Sequence, residues 1–100
     1  MDRPAIDRER RIIDVLLALT EGEVVTYGEV AEVAGYPRRA RLVGRVLATT
    51  EVEVPWWRVV NSTGRLVPGN EHEQAALLRG EDVEVRDGRV RRAPWGRFSR

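Results

Sequence analysis

A chain of 100 residues, 42% of them hydrophobic, is long enough for one thin core and too apolar to stay disordered. Its 17 basic residues, all arginine, nearly balance 16 acidic ones, so bulk charge does not mark a nucleic-acid binder. The absence of cysteine excludes disulfides, thiolate chemistry and zinc–thiolate sites. No apolar run approaches a membrane span, and the polar start Met1-Asp2-Arg3-Pro4 lacks a signal-peptide core. A cytoplasmic, membrane-free monomer is expected. One histidine, His72, cannot build a multi-histidine metal site, and neither metal nor cofactor is expected.

Residues from about Ile6 to Leu19 read as a helix, with Ile12, Val15, Leu16 and Leu19 on one buried face. Gly22 offers its exit. Glu23 to Thr26 is short, β-branched and extended. Thr26 and Glu29 have the spacing of a capping box, which opens a helix from about Tyr27 to Ala34. Gly35-Tyr36-Pro37 is a turn, and a further helix is predicted from Arg38 to Thr49. Leu42, Val43, Val46 and Leu47 form its buried side, with Gly44 permitting close approach of a neighbour. Two helices joined by a short glycine-containing turn make a helix-turn-helix, a pattern shared by many helical hairpins. Arg38, Arg39, Arg41 and Arg45 on the second helix are either a solvated face or phosphate contacts.

The most distinctive stretch runs from Val54 to Leu66. Pro55 fixes its own φ and biases Val54 towards an extended form. Asn61-Ser62-Thr63-Gly64 reads as a turn held by local side-chain hydrogen bonds. Trp56 and Trp57, taken as consecutive residues of an extended segment, would point to opposite sides. Residue type alone leaves both as readily structural as functional. Beyond Pro68-Gly69, Asn70 and Glu73 are placed to cap a helix from Glu71 to Arg79, which buries Ala75 and Leu77 or Leu78. Gly80 ends it, and His72 falls in its exposed first turn. Glu81 to Val90 alternates around Asp87-Gly88, a hairpin signal. The basic tail, residues 91–100, holds Trp95 and Phe98, either packed or loose.

Pro55-Trp56-Trp57-Arg58-Val59-Val60-Asn61-Ser62-Thr63-Gly64 resembles the Pro-Cys-His-Arg-Val active-site loop of the alkylguanine-DNA alkyltransferases, with Trp56 in the place of the cysteine. That replacement is the mark of the alkyltransferase-like proteins. Gly22 to Ala31, Ala34 to Pro37 and Ala40 to Gly44 are similar to the family's helix-turn-helix signature in order and spacing. The resemblance runs from about Ile6 to Val90. It implies a single domain over residues 1–100, mainly α with a small β-hairpin, in a winged-helix-like helix-turn-helix fold. It also implies that the second helix enters the minor groove. Arg41 would take the place of an extruded base, and Tyr27 would push on the phosphate to promote flipping. Arg38, Arg39 and Arg45 complete the expected DNA-binding set.

The lesion pocket implied by the resemblance comprises Tyr27, Pro55, Trp56, Trp57, Arg58, Val59, Val60, Ser62 and Thr63, between the Pro55–Val60 stretch and the hairpin side. It would take a flipped guanine carrying an alkyl group at O6. Backbone groups near Val59 and Val60 would bond the base, Trp56 would supply apolar contact, and Arg58 would brace. Related proteins often carry a cation at the Thr63 position; Arg65 is the nearest basic residue here. The family's bracing asparagine has no clear counterpart, with Thr49 or Thr50 near its place. Glu81 matches the family's glutamate, but Trp57 stands where its histidine partner should be, leaving Glu81 a surface or helix-end carboxylate. An indole is not a nucleophile towards an alkyl group, so direct alkyl transfer is excluded and no enzyme is expected. The implied function is recognition of O6-alkylguanine in double-stranded DNA, flagged for nucleotide excision repair proteins. Two other classes fit the residues: a helix-turn-helix transcription regulator, and an interaction domain using its tryptophan face.

Overall fold

The computed structural model describes residues 3–99. Met1 and Asp2 of the polar start and Arg100 of the basic tail lie outside the described residues. The fold is mainly α, a helix-turn-helix followed by a β-hairpin wing. Two compact units make it up: Met1–Leu19 with Tyr27–Trp56, and Thr20–Thr26 with Trp57–Arg100.

In the first unit, α1 spans Arg3–Leu17, starting and ending earlier than the apolar period suggested. Pro4 suits its first turn, where a backbone donor has no partner to lose. The chain then tightens, Leu19 N bonding Leu16 O at 3.2 Å, so Leu19 stays buried beyond the helix end. Helix α2 (Tyr27–Val33) buries Val30 and Ala31. It closes in a Schellman motif: Gly35 is left-handed at φ 96°, Gly35 N bonds Glu32 O and Tyr36 N bonds Ala31 O.

Helix α3 is Ala40–Thr49, not Arg38–Thr49. The reason lies in Tyr36-Pro37-Arg38-Arg39. Arg39 N bonds Tyr36 O at 3.2 Å, Pro37 fills the second position, and Arg38 at the third has φ 65°. That is the form of a type II turn, so Pro37 builds a turn rather than a first helical turn. Arg39 sits at the N-cap position without a side-chain cap bond, since arginine carries no acceptor. Leu42, Val43 and Val46 are buried. Gly44 does not serve a close approach: a Cβ there would meet nothing within 4 Å.

In the second unit, β1 (Glu23–Thr26) is the centre of a small parallel sheet. It pairs with β2 (Val59–Val60) at Val25↔Val59 and Thr26↔Val60. Helix α4 (Glu71–Arg79) follows. It buries Gln74, Ala75 and Leu78, with Leu77 37% exposed. Asn70 stands at its N-cap position but makes no side-chain cap bond; Glu71 Oε1 accepts from Gly69 N at 2.8 Å instead. Gly80 at the C-cap stays right-handed, and Asp82 makes the left-handed bend at φ 64°.

Strands β3 (Glu84–Arg86) and β4 (Arg89–Arg92) form the hairpin. Asp87 and Gly88 both have positive φ, as a type I′ turn requires. The tail then returns to the sheet: β5 (Trp95–Gly96) pairs with the other edge of β1, Val24 opposite Gly96. A Cβ on Gly96 would collide with Val24 O, so only glycine fits. Val24, Val60, Leu66, Leu78, Val83, Val85, Val90 and Ala93 form this unit's core, with Trp57 and Phe98 packed on it. No helix among the described residues is long and apolar enough to cross a membrane.

Candidate nucleic-acid interface and pocket turn

The helix-turn-helix is α2, the Gly35–Arg39 turn and α3, with the two helices packed on each other. Tyr27 opens α2 and is half-buried. Burial pushes its phenol above the usual value of 10.0, which keeps the hydroxyl neutral. Arg38, Arg39, Arg41 and Arg45 are all exposed, and none makes an ion pair among the described residues. Arg41 and Arg45 lie one helical turn apart on one face of α3. Gly44 and Ala48 border that face, so small residues flank Arg45 beside its neighbour Arg41. Arg38 and Arg39 are presented by the turn instead of the helix.

The pocket stretch begins with a three-residue turn centred on Pro55, closed by Trp56 N donating to Val54 O at 2.8 Å. Trp56, Trp57 and Arg58 then form a single 3₁₀ turn, not an extended segment. Consecutive side chains in such a turn are about 120° apart rather than opposed. Both indoles are half-buried.

Glu81 is far from the idle carboxylate expected. It lies just beyond α4 and gathers donors from three places in the second unit. Trp57 Nε1 donates to Oε2 at 2.8 Å. Arg58 donates from Nε to Oε1 at 3.0 Å and from Nη2 to Oε2 at 2.8 Å. Gly22 N donates to Oε1 at 2.8 Å. The Arg58 guanidinium also lies 5.3 Å from the centroid of the Trp57 ring, within cation–π range. Burial pushes the Glu81 carboxyl up; the bonds from Arg58, Gly22 and Trp57 and the Arg58 charge together outweigh it and hold it below 4.5. The indole N–H therefore supplies a donor where the resemblance led us to expect an imidazole.

Gln74 is a site residue that sequence reasoning missed. It is fully buried on α4. Its Nε2 donates to Trp57 O and to Val59 O, each at 3.1 Å, and its Oε1 accepts from Val67 N at 2.7 Å. The sequence carried little signal for it, because Gln74 follows Asn70-Glu71-His72-Glu73 and reads as one more polar residue of an exposed first turn; once buried, its amide must find partners. It braces the turn from within, where the sequence offered only Thr49 or Thr50. Those are occupied locally: Thr49 Oγ1 donates to Arg45 O, and Thr50 Oγ1 accepts from Val52 N.

Val59 and Val60 are fully buried in β2. Since Gln74 takes the Val59 carbonyl, that group is already engaged. Ser62 and Thr63 are exposed in the polar turn. Asn61 Oδ1 accepts from Thr63 N, Thr63 Oγ1 and Arg65 N, each at 2.9 Å, an Asx-type arrangement. His72 is exposed. A cleft of about 270 Å³ in the second unit is lined by Asp82, Glu84, Arg92, Ala93, Pro94 and Ser99, and holds none of the expected pocket residues. Among the described residues no cluster of His, Asp and Glu is placed to hold a metal.

The helix-turn-helix and the Pro55–Val60 turn follow one another in the order found in a known family. The family described as "6-O-methylguanine DNA methyltransferase, DNA binding domain" matches residues 7–83, and the chain belongs to it. Its alkyltransferase-like character is equally plain. It is 39% identical over 79 residues to a DNA base-flipping protein of Vibrio parahaemolyticus, covering 75% of this chain and 79% of the relative. It is 36% identical over 81 residues to alkyltransferase-like protein 1 of Schizosaccharomyces pombe, covering 75% of each. Among solved structures, S. pombe Atl1 in complex with damaged DNA containing O6-carboxymethylguanine is similar at a TM-score of 0.73 and 33% identity. That likeness covers 86% of this chain and 83% of the other. The chain itself contains no cysteine.

Proposed function

We propose that this chain is a non-enzymatic reader of O6-alkylguanine in duplex DNA. The observation that carries the reading is a pairing of two features. Exposed, uncompensated arginines flank and occupy α3, and the Pro55 turn offers indoles where an alkyl acceptor would need a thiol. Arg38, Arg39 and Arg45 contact phosphates, and Arg41 fills the gap left by an extruded base. Tyr27 presses a neutral phenol on the backbone. The flipped base enters against Pro55, Trp56 and Trp57, with Ser62 and Thr63 at the rim. Arg58 braces, its guanidinium being committed to Glu81.

The relative solved with O6-carboxymethylguanine DNA supports the lesion class. The two units act as one DNA-binding domain and bind as a monomer. The bound complex flags the lesion for nucleotide excision repair proteins in the cytoplasm. No cofactor takes part, since recognition needs only shape, stacking and hydrogen bonds.

The test is a titration with two duplexes of one sequence, differing by a single O6-methylguanine, at fixed salt. Tighter binding of the methylated duplex is expected. Equal affinity would turn the chain into a general or sequence-specific binder, and no binding to either would leave an interaction domain. Incubation with DNA labelled on the alkyl group should leave the protein unlabelled.

A further inference from the structure

The hydrogen bonds around the Trp56–Arg58 turn converge on one element. From its first turns α4 sends in Gln74, whose amide grips the carbonyls of Trp57 and Val59 on either side of Arg58. Just past its end α4 presents Glu81, which grips the side chains of Trp57 and Arg58. The turn is thus held twice by one helix, through its backbone from within and through its side chains near the surface. The side chains of Arg58 and Glu81 are 14% and 11% exposed, dry enough for charge-assisted bonds to count. Core packing alone does not require this arrangement. An apolar residue at position 74 would fill the same space without fixing two carbonyls, and Phe at position 57 would keep the ring without its donor.

We infer that Gln74 and the indole N–H of Trp57 have a positioning role beyond any contact of the Trp57 ring with the base: with Glu81 they make α4 the element that sets the shape of the lesion-binding turn. This rests on the reader function proposed above. A turn fixed before binding loses less freedom when the base arrives, which favours the lesion complex over binding to undamaged duplex. Because the turn meets only a flipped base, loosening it should lower affinity for the lesion and leave affinity for normal DNA unchanged. A merely structural residue would lower both in parallel.

The experiment compares affinities for an O6-methylguanine duplex and its undamaged twin in wild type, Trp57→Phe, Trp57→His and Gln74→Met. Trp57→Phe should reduce the lesion-to-normal ratio about tenfold, the effect of one charge-assisted bond. Trp57→His, which restores an N–H donor, should recover most of it. Gln74→Met should reduce the ratio by a similar factor; if it is too unstable to titrate, the two Trp57 variants decide. A wild-type preference that Trp57→Phe leaves intact, or that falls together with binding to normal DNA, would overturn this inference alone. A wild type without preference would overturn the reader function and this inference with it.

Discussion

Arg41 and Arg58 carry the same guanidinium and meet opposite fates. Arg58 is enclosed, stacked on Trp57 and bonded to Glu81. Arg41 stands exposed on α3, without an ion pair among the described residues. The difference extends to their surroundings. The pocket turn is bonded by Gln74 of α4 and by Glu81 just beyond it, while the helix-turn-helix keeps four cations in reserve. An arginine that is already paired can hold a shape, and one that is not can meet a phosphate or enter a base stack. Substitutions in the first region should therefore register in stability and in preference for the lesion, and those in the second in DNA binding at unchanged stability.

The largest effect should come from Gln74→Met. It removes three hydrogen bonds, one of them to the buried Val59 carbonyl and two to the part-buried Trp57 carbonyl and Val67 N–H, and each loss costs about 1–3 kcal/mol, in part relieved by relaxation and water. A loss of about 3 kcal/mol in chemical denaturation is expected. A variant as stable as wild type would break the contrast, since the turn would then not depend on its brace.

Next comes Arg41→Ala. It should weaken lesion binding about thirtyfold, near 2 kcal/mol, because the flipped state loses its plug. Stability should stay within about 0.5 kcal/mol of wild type, as for other exposed positions. Binding unchanged with stability reduced would reverse the assignment of the two regions.

These two substitutions also show what the sequence could and could not reveal. Arg41 was legible because the helical period and the glycine–proline turn place it on an exposed face, and the family signature gives the position a role. The Asp87-Gly88 hairpin and the Asn61 turn were legible too, since each is fixed by residues adjacent in the chain. Gln74 and the parallel pairing of β1 with β2 and β5 were not. The carbonyls that Gln74 holds lie 17 and 15 residues away, the strand partners lie farther still, and parallel pairing leaves no alternation or turn to read. The misreading of Trp56-Trp57 as extended came from treating consecutive aromatics as strand-like. Proline followed by a short 3₁₀ turn gives no periodic signal.

Arg38→Gly should sharpen the comparison from within the binding region. Arg38 has φ 65°, where a side chain strains the backbone by roughly 1 kcal/mol. Glycine relieves the strain but gains freedom in the unfolded chain, so stability should rise by less than about 1 kcal/mol. Binding should nevertheless fall, with the slope of log K against log salt reduced by about 0.9, the share of one phosphate contact. An unchanged slope would remove Arg38 from the interface and leave its strain without a function.

The smallest effects should appear as two pH limbs, one from each region. Glu81 is held below its ordinary 4.5, so its contribution to stability is present above that value and lost as pH falls through the lower folded value. Glu81→Gln should flatten this acid limb. Tyr27 is raised above 10.0 by burial, so the folded state keeps its proton longer than the unfolded chain. Its contribution is present below 10.0 and lost as pH rises through the higher folded value. Tyr27→Phe cannot ionise and should flatten the alkaline limb, while weakening lesion binding only about threefold because the ring remains. Melting curves across both limbs would separate the two groups. Should Tyr27→Phe alter the acid limb, or Glu81→Gln the alkaline one, the two regions would not be energetically independent, and the division between a braced turn and a free binding face would have to be given up.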